Sequence, residues 1–285
     1  NSWAFDLFSK AKKYPSLVKP GKYQLVDGMT YLELINRLRI GEQMPIQLQF
    51  KSIRLKSQLA QRLGEQLEFD SLAAMQMLKN ESLAQQYGFN ATSFITMFIP
   101  NTYEMYWTTT TKEFVERMAT EYKSFWTTER KQKAQNLGLS QSEVSTLASI
   151  VQEETAKPNE MPMVAGVYWN RLQRGMLLQA DPTVIYAIKK ETGNFDTIIK
   201  RVLYKDLKMN SPYNTYKYAG LPPGPIAMPD ITAIDAVLNP KKHNYYYFVA
   251  NVEKFGYHMF AENLAQHNRN KEQYIRWINA QKINR

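Results

Sequence analysis

An α+β fold in two unequal parts follows from three features of the sequence. Helix-spaced and strand-spaced apolar residues alternate along the chain, without long low-complexity tracts. With 285 residues and 44% hydrophobic content the chain can bury a sizeable core, and that length suits one large domain or two unequal ones. No repeat of solenoid period is present.

Gly21 to Gly41 reads as a strand over Lys22 to Val26, a turn at Asp27-Gly28 and a helix opening at Thr30, with Gly41 where a C-cap glycine belongs. From Met44 to Ile53 the residues alternate, with Ile46, Leu48 and Phe50 set against Gln47, Gln49 and Lys51, as in a half-buried strand. Ser57 to Leu67, Asp70 to Lys79 and Lys112 to Thr127 carry helix-spaced apolar positions. Phe98 to Glu104, punctuated by Pro100, reads as a loop that either lines a cleft or connects. Near the C-terminus, Tyr245, Tyr247 and Val249 share one strand face, and Tyr246 and Phe248 the other. His258 falls on a strand paired through the turn from Asn251 to Gly256.

Composition removes several classes of chemistry. There is no cysteine, hence no disulfide, thiolate metal site or cysteine nucleophile, which is compatible with an oxidising compartment. The three histidines form no HExxH, and neither a GxSxG elbow nor a GxxxxGK[ST] loop occurs. The formal charge of +10 should attract polyanions, but its basic residues lie in scattered short clusters, which argues against nucleic acid. No run reaches the roughly 18 apolar residues of a bilayer span. The chain opens at Asn1 without an initiator Met, so a preceding signal, anchor or tag is expected.

Ser140-Gln141-Ser142-Glu143 has the form of a capping box, so a helix should begin there and run to about Ala156, before Pro158. Val144, Leu147, Ala148 and Val151 define its buried face. Glu154 projects within about 20° of Leu147, whereas Glu153 is turned about 120° away and should be solvated. A carboxylate aimed at an apolar face is costly unless it is paired, neutralised or set in a cleft, and desolvation raises its pKa into the range of a general acid. On periodicity alone, a structural glutamate bound to a lysine or a helix N-terminus remains the competing reading.

The run Leu147 to Ala156 (LASIVQEETA) resembles the LASIVxxET segment of the YceG-like family of endolytic murein transglycosylases. Asn170-Arg171-Leu172, Leu178 to Tyr186, Ser211 to Tyr216, Gly220 to Ile226, Tyr246 to Ala250, and His258 through Asn263 to His267 follow in the family's order. Two departures stand out: Ala180 replaces a familiar threonine, and Glu153 a position that is often basic. The resemblance implies a LysM-like subdomain over 1–45 and a YceG-like catalytic domain over 46–285, with a helical linker region at about 54–135 and a catalytic core at about 96–285. It also implies a lytic transglycosylase cleaving the β-1,4 bond between N-acetylmuramic acid and N-acetylglucosamine within strands. The products would be 1,6-anhydro ends, with Glu154 as the single catalytic acid/base and no cofactor or metal. Peptidoglycan would be the substrate and cell-wall synthases candidate partners. An N-terminal anchor would hold the catalytic domain at the periplasmic face of the inner membrane.

By analogy to the family, and because amides and hydroxyls suit N-acetyl sugars, Asn170, Gln179, Tyr213, Asn214 and Thr215 are candidates for substrate binding, joined by Asp181 and His258. Each has a structural alternative: Asp181-Pro182 reads as an N-cap with a first-turn proline, and Asn170 as an ordinary helix-face amide. Gly220 to Ile226 is stiff enough for a cleft wall but equally suits a rigid connector, and His267 fits a structural histidine as well as a site residue. Two rival functions stay open, a non-catalytic peptidoglycan-binding scaffold and a muramidase that admits water.

Overall fold

The computed structural model describes residues 2–51, 53–199 and 201–280. The chain forms two compact units, one of residues 1–83 with 101–118, the other of 84–100 with 119–285.

In the first unit, α1 (Ser2–Ala11) precedes α2 (Tyr31–Ile40), which opens on a reciprocal capping box between Thr30 and Glu33. It closes on Gly41, whose φ of 80° is the left-handed conformation that glycine adopts without a Cβ penalty. The strand expected over Lys22 to Val26 does not form. The Lys22 carbonyl accepts one backbone bond from Met44, the Gln24 carbonyl is taken by the Arg37 guanidinium, and among the described residues no second strand lies alongside to complete a ladder. β1 (Ile46–Phe50) is shorter than the alternation from Met44 to Ile53. α3 (Lys56–Gly64) and α4 (Ser71–Lys79) follow it, α4 capped by the Asp70 carboxylate on the Ala73 N–H. α5 (Glu81–Gln86) comes next.

The second correction is at β2 (Asn101–Met105), which occupies most of the segment that reads as a loop. It pairs antiparallel with β1, Leu48 opposite Tyr103 and Ile46 opposite Met105. The turn-forming composition is overridden because Tyr103 and Met105 alternate inward against Leu48 and Phe50, and tertiary pairing outweighs local propensity. Pro100 stands just before the strand, where its missing N–H costs no ladder bond. The division between the units falls inside α6 (Thr111–Phe125).

The second unit contains α7 (Thr128–Asn136), α8 (Gln141–Glu154), α9 (Met161–Gln173), α10 (Asp181–Thr192), α11 (Ile231–Leu238), β3 (Tyr247–Ala250), β4 (His258–Ala261) and α12 (Leu264–Ala280). Its centre is α8. Every residue from Val144 to Val151 is buried, and α8 packs on α9 and α11, whose Val164, Val167, Ala233, Ile234 and Val237 are buried as well. Arg130 of α7 grips Asp235 of α11 with two parallel bonds of 3.1 Å. β3 and β4 form an antiparallel hairpin, Ala250 opposite His258, which packs on α12.

Gly166 lets α9 come close to the chain ahead of the hairpin, because a Cβ there would meet the Lys241 carbonyl at 2.4 Å. Gly220 to Ile226 serves as a connector bound to α8: the Ile226 N–H donates to Ser149 Oγ at 3.0 Å, and Ser149 Oγ donates to the Thr146 carbonyl. Ser149→Ala removes the acceptor and leaves a buried N–H unpaired. It should destabilise the protein by about 1–3 kcal/mol in urea unfolding, and no change would show that the connector relaxes around the loss.

Candidate active site

α8 begins as its capping box dictates: Ser140 Oγ accepts from the Glu143 N–H at 3.2 Å, and Glu143 accepts from the Ser140 N–H at 2.8 Å. It ends at Glu154, two residues earlier than Ala156, because Thr155 turns extended at φ −139° and ψ 131°. Glu154 is therefore the last helical residue. Its backbone lies at the negative end of the helix dipole, which disfavours a carboxylate. Glu153 is half-buried, short of the full solvation its projection suggests.

Glu154 is half-buried, and its side chain opens onto a cleft of about 470 Å³ in the second unit. Burial pushes its pKa up to about 7, with the nearby Asp181 charge acting in the same direction. Opposing these, the Tyr168 hydroxyl donates to Oε1 at 2.6 Å, and His258 and Arg171 favour the charged form. Tyr168 is itself buried, and burial beside Glu154 drives its phenol well above the usual range, so it remains a donor. Its ring meets Phe248 of β3 edge-on at 5.8 Å. A carboxyl with a midpoint near 7 is populated in both protonation states at neutral pH, which is what a group acting first as acid and then as base requires.

Arg171, one turn beyond Tyr168 on α9, is buried without a carboxylate partner in hydrogen-bond contact. Its Nε donates to the Tyr246 carbonyl at 2.6 Å, and Nη1 to the carbonyls of Leu177 and Leu178 and to Gln179 Oε1. It thereby ties β3 and the loop before α10 to one helix, and its charge offsets that of the carboxylates nearby.

The structure brings Glu154, Gln179, Asp181 and His258 to the cleft wall. Gln179 holds a left-handed φ of 51°, unusual for a residue with a Cβ, fixed by its N–H on the Thr215 carbonyl and its amide oxygen on Arg171. Asp181 is the first residue of α10 and not its cap, which is Ala180 without a side-chain bond. Its carboxylate instead accepts from the Tyr216 hydroxyl at 2.5 Å.

The other four candidates stand outside the lining. Asn170 spends its amide on the carbonyls of His243 and Tyr245. Asn214, fully buried, donates to the carbonyls of Leu207 and Met209 and accepts from the Tyr216 N–H. Thr215 Oγ1 accepts from the Ala180 N–H and bonds Thr183. Tyr213 is buried against Tyr186, with ring centroids 4.8 Å apart. These residues shape the loops that carry Gln179, Asp181 and Tyr216.

Sequence reasoning misses Tyr168 and Arg171 as site residues. Their i, i+3 spacing puts both on one face of α9, but Tyr168 also fits an ordinary apolar stripe. Tyr204, Tyr216, Tyr247, Phe248, His267 and Lys271 complete the polar and aromatic wall.

The second unit thus sets Glu154, a half-buried carboxyl of raised pKa, at the wall of a cleft lined by aromatic and polar side chains. The sequence model of the YceG-like family matches residues 1–273, and the chain belongs to that family.

Among its relatives, the endolytic murein transglycosylase of Bacillus subtilis (strain 168) is 45% identical over 130 residues, 46% of this chain and 34% of that protein. The endolytic murein transglycosylase of Streptococcus pneumoniae, in the D39 and R6 strains alike, is 30% identical over 298 aligned positions, 95% of this chain and 53% of the relative. The chain thus spans about half the length of the pneumococcal relatives and about a third of the Bacillus one. A crystal structure of a YceG-like protein from Listeria monocytogenes is similar, with a TM-score of 0.65, 26% identity, and coverage of 94% of this chain and 90% of that one.

The raised pKa makes a stability prediction with a definite sign. A carboxyl whose folded-state pKa is about 7, against an ordinary 4.5, favours folding while protonated. That contribution is whole below about pH 4.5 and is lost as pH rises through 7. Glu154→Gln mimics the protonated form, so its stability relative to the parent should grow by roughly 3 kcal/mol between pH 4 and pH 8. Urea unfolding at the two pH values reads this, and a pH-independent difference would contradict the raised pKa.

Proposed function

We propose that the chain is a lytic transglycosylase acting within peptidoglycan strands, with Glu154 as its single acid/base. The observation that carries the reading is the Glu154 carboxyl, held near neutrality by burial and by the Tyr168 hydroxyl. Family membership and the transglycosylase names of the relatives support it.

In the proposed reaction the protonated Glu154 gives its proton to the glycosidic oxygen between N-acetylmuramic acid and N-acetylglucosamine as the C1–O bond breaks. The glucosamine hydroxyl leaves. The resulting carboxylate takes the proton of the muramoyl C6 hydroxyl as that oxygen bonds to C1, closing a 1,6-anhydro ring and restoring the acid. No water is consumed. Tyr247, Phe248 and Tyr204 offer apolar ring surface for sugar faces, and Arg171, Gln179 and Asp181 offer polar contacts at the same wall. Of the sequence candidates, we assign Gln179, Asp181 and His258 to direct contact and Asn170, Tyr213, Asn214 and Thr215 to support of the surrounding loops.

Asp181 gives the muramidase reading its one specific support, since ordinary glycosidases use a second carboxylate across the scissile bond. We favour the lytic outcome because the relatives are named transglycosylases.

The proposed setting lies outside the cytoplasmic membrane, at the periplasmic face where an inner membrane encloses one, because the substrate is there. Among the described residues, no helix is long and apolar enough to cross a membrane. A LysM-like role for residues 1–45 and contacts with synthases belong to the same proposal.

Mass spectrometry of purified peptidoglycan digested by the parent and by Glu154→Gln tests the reaction. New 1,6-anhydro ends from the parent alone are expected. Reducing ends would establish a hydrolase, and no product from either would favour a glycan-binding scaffold.

Tyr168→Phe removes a bond that favours the carboxylate, so the pH optimum of cleavage should move upward and the rate at pH 7 fall about tenfold. An unchanged pH profile would remove Tyr168 from the mechanism.

A further inference from the structure

One buried ionisable group next to the cleft has no part in the chemistry above. Glu160, 5% exposed at the start of α9, is not among the residues lining the cleft. Its carboxylate accepts three bonds. Thr155 Oγ1 donates to Oε2 at 2.8 Å, the His258 N–H donates to Oε1 at 2.7 Å, and His258 Nδ1 stands 2.9 Å from Oε2. Burial works to raise its pKa, yet the bonds from His258 and Thr155 outweigh burial and the carboxyl lies below its ordinary value. An ionised carboxylate can only accept, so the proton between it and the imidazole belongs to Nδ1.

The consequence falls on His258. Its side chain is largely buried, its ring is packed edge-on against Phe248 with centroids 4.9 Å apart, and it lines the cleft that holds Glu154. With Nδ1 occupied by Glu160 and the backbone N–H bonded to the same carboxylate, the residue is fixed from behind. Nε2 is the ring nitrogen left for the cleft, and in the neutral ring it is an acceptor. Thr155, the residue after the acid, closes the cluster from the other side, so Glu160 couples the end of α8 to β4.

We propose that Glu160 is a positioning residue that locks His258 in the Nδ1–H tautomer and presents Nε2 as a hydrogen-bond acceptor to a hydroxyl or amide N–H of the bound glycan. This rests on the glycan-cleaving reading for the identity of the ligand, but the tautomer can be read without any substrate.

Nitrogen-15 NMR of the imidazoles is tractable with three histidines in the chain. In the parent with the ring neutral, His258 should carry its proton on Nδ1. In Glu160→Gln, whose amide can donate to Nδ1, the proton should move largely to Nε2, and kcat/KM for glycan should fall about tenfold or more. An Nε2–H tautomer in the parent overturns the proposal, as does a folded Glu160→Gln protein with tautomer and kcat/KM unchanged. If that variant fails to fold, the parent spectrum still decides the tautomer.

The contact is tested by titrating Glu154→Gln protein with a GlcNAc–MurNAc tetrasaccharide. Movement of the Nε2 signal on binding is expected, and binding registered elsewhere with Nε2 unmoved overturns the contact. No binding at any residue sinks the glycan reading and the contact together, while the parent tautomer still judges the pair.

Discussion

The site depends on the cost of leaving one carboxylate in a low-dielectric pocket. Glu154 ends a helix that is buried from Val144 to Val151, and its side chain opens onto the cleft. The Tyr168 hydroxyl limits that cost without removing it. A salt bridge in the same place would fix the group as a carboxylate and leave no acid, whereas bare burial would fix it as an acid and leave no base. The Tyr168 hydroxyl, with the weaker pull of His258 and Arg171, holds the balance between the two.

Much of the second unit serves to keep that balance. α9 carries Tyr168, Arg171 and, at its start, Glu160, so one helix supplies the donor to the acid, the cation behind the wall and the carboxylate behind His258. Asn170, on the same helix, anchors the chain entering β3 through two carbonyls. Asn214 and Thr215 do the same for the loop bearing Tyr216, which in turn engages Asp181. Residues that hold backbone carbonyls and N–H groups are thus as necessary to the cleft as those that face it.

The orientation of Glu154 was legible in the sequence because helical periodicity is local: once Ser140 and Glu143 set the start of α8, it followed from residue counting, whereas its acid/base role came from the family resemblance of Leu147 to Ala156. The α2 caps were legible for the same reason. What was not legible depended on partners distant in sequence. The segment from Lys22 to Val26 has strand-forming residues but, among the described residues, no neighbouring strand, and Asn101 to Met105 has turn-forming residues but pairs with β1. Asn170 and Asn214 offer the same amide chemistry as Gln179, and only the fold reveals which of the three amides is spent on backbone. Tyr168, which no sequence motif singled out, is buried in the core with its hydroxyl on Glu154.

The most direct test of this account is a carbon-13 NMR titration of the Glu154 carboxyl in the parent protein. A midpoint near 7 would bear out a group poised between acid and base by burial and one phenol. A midpoint near the ordinary 4.5 would mean that the carboxylate is solvated or paired, and the single acid/base assignment would then fail.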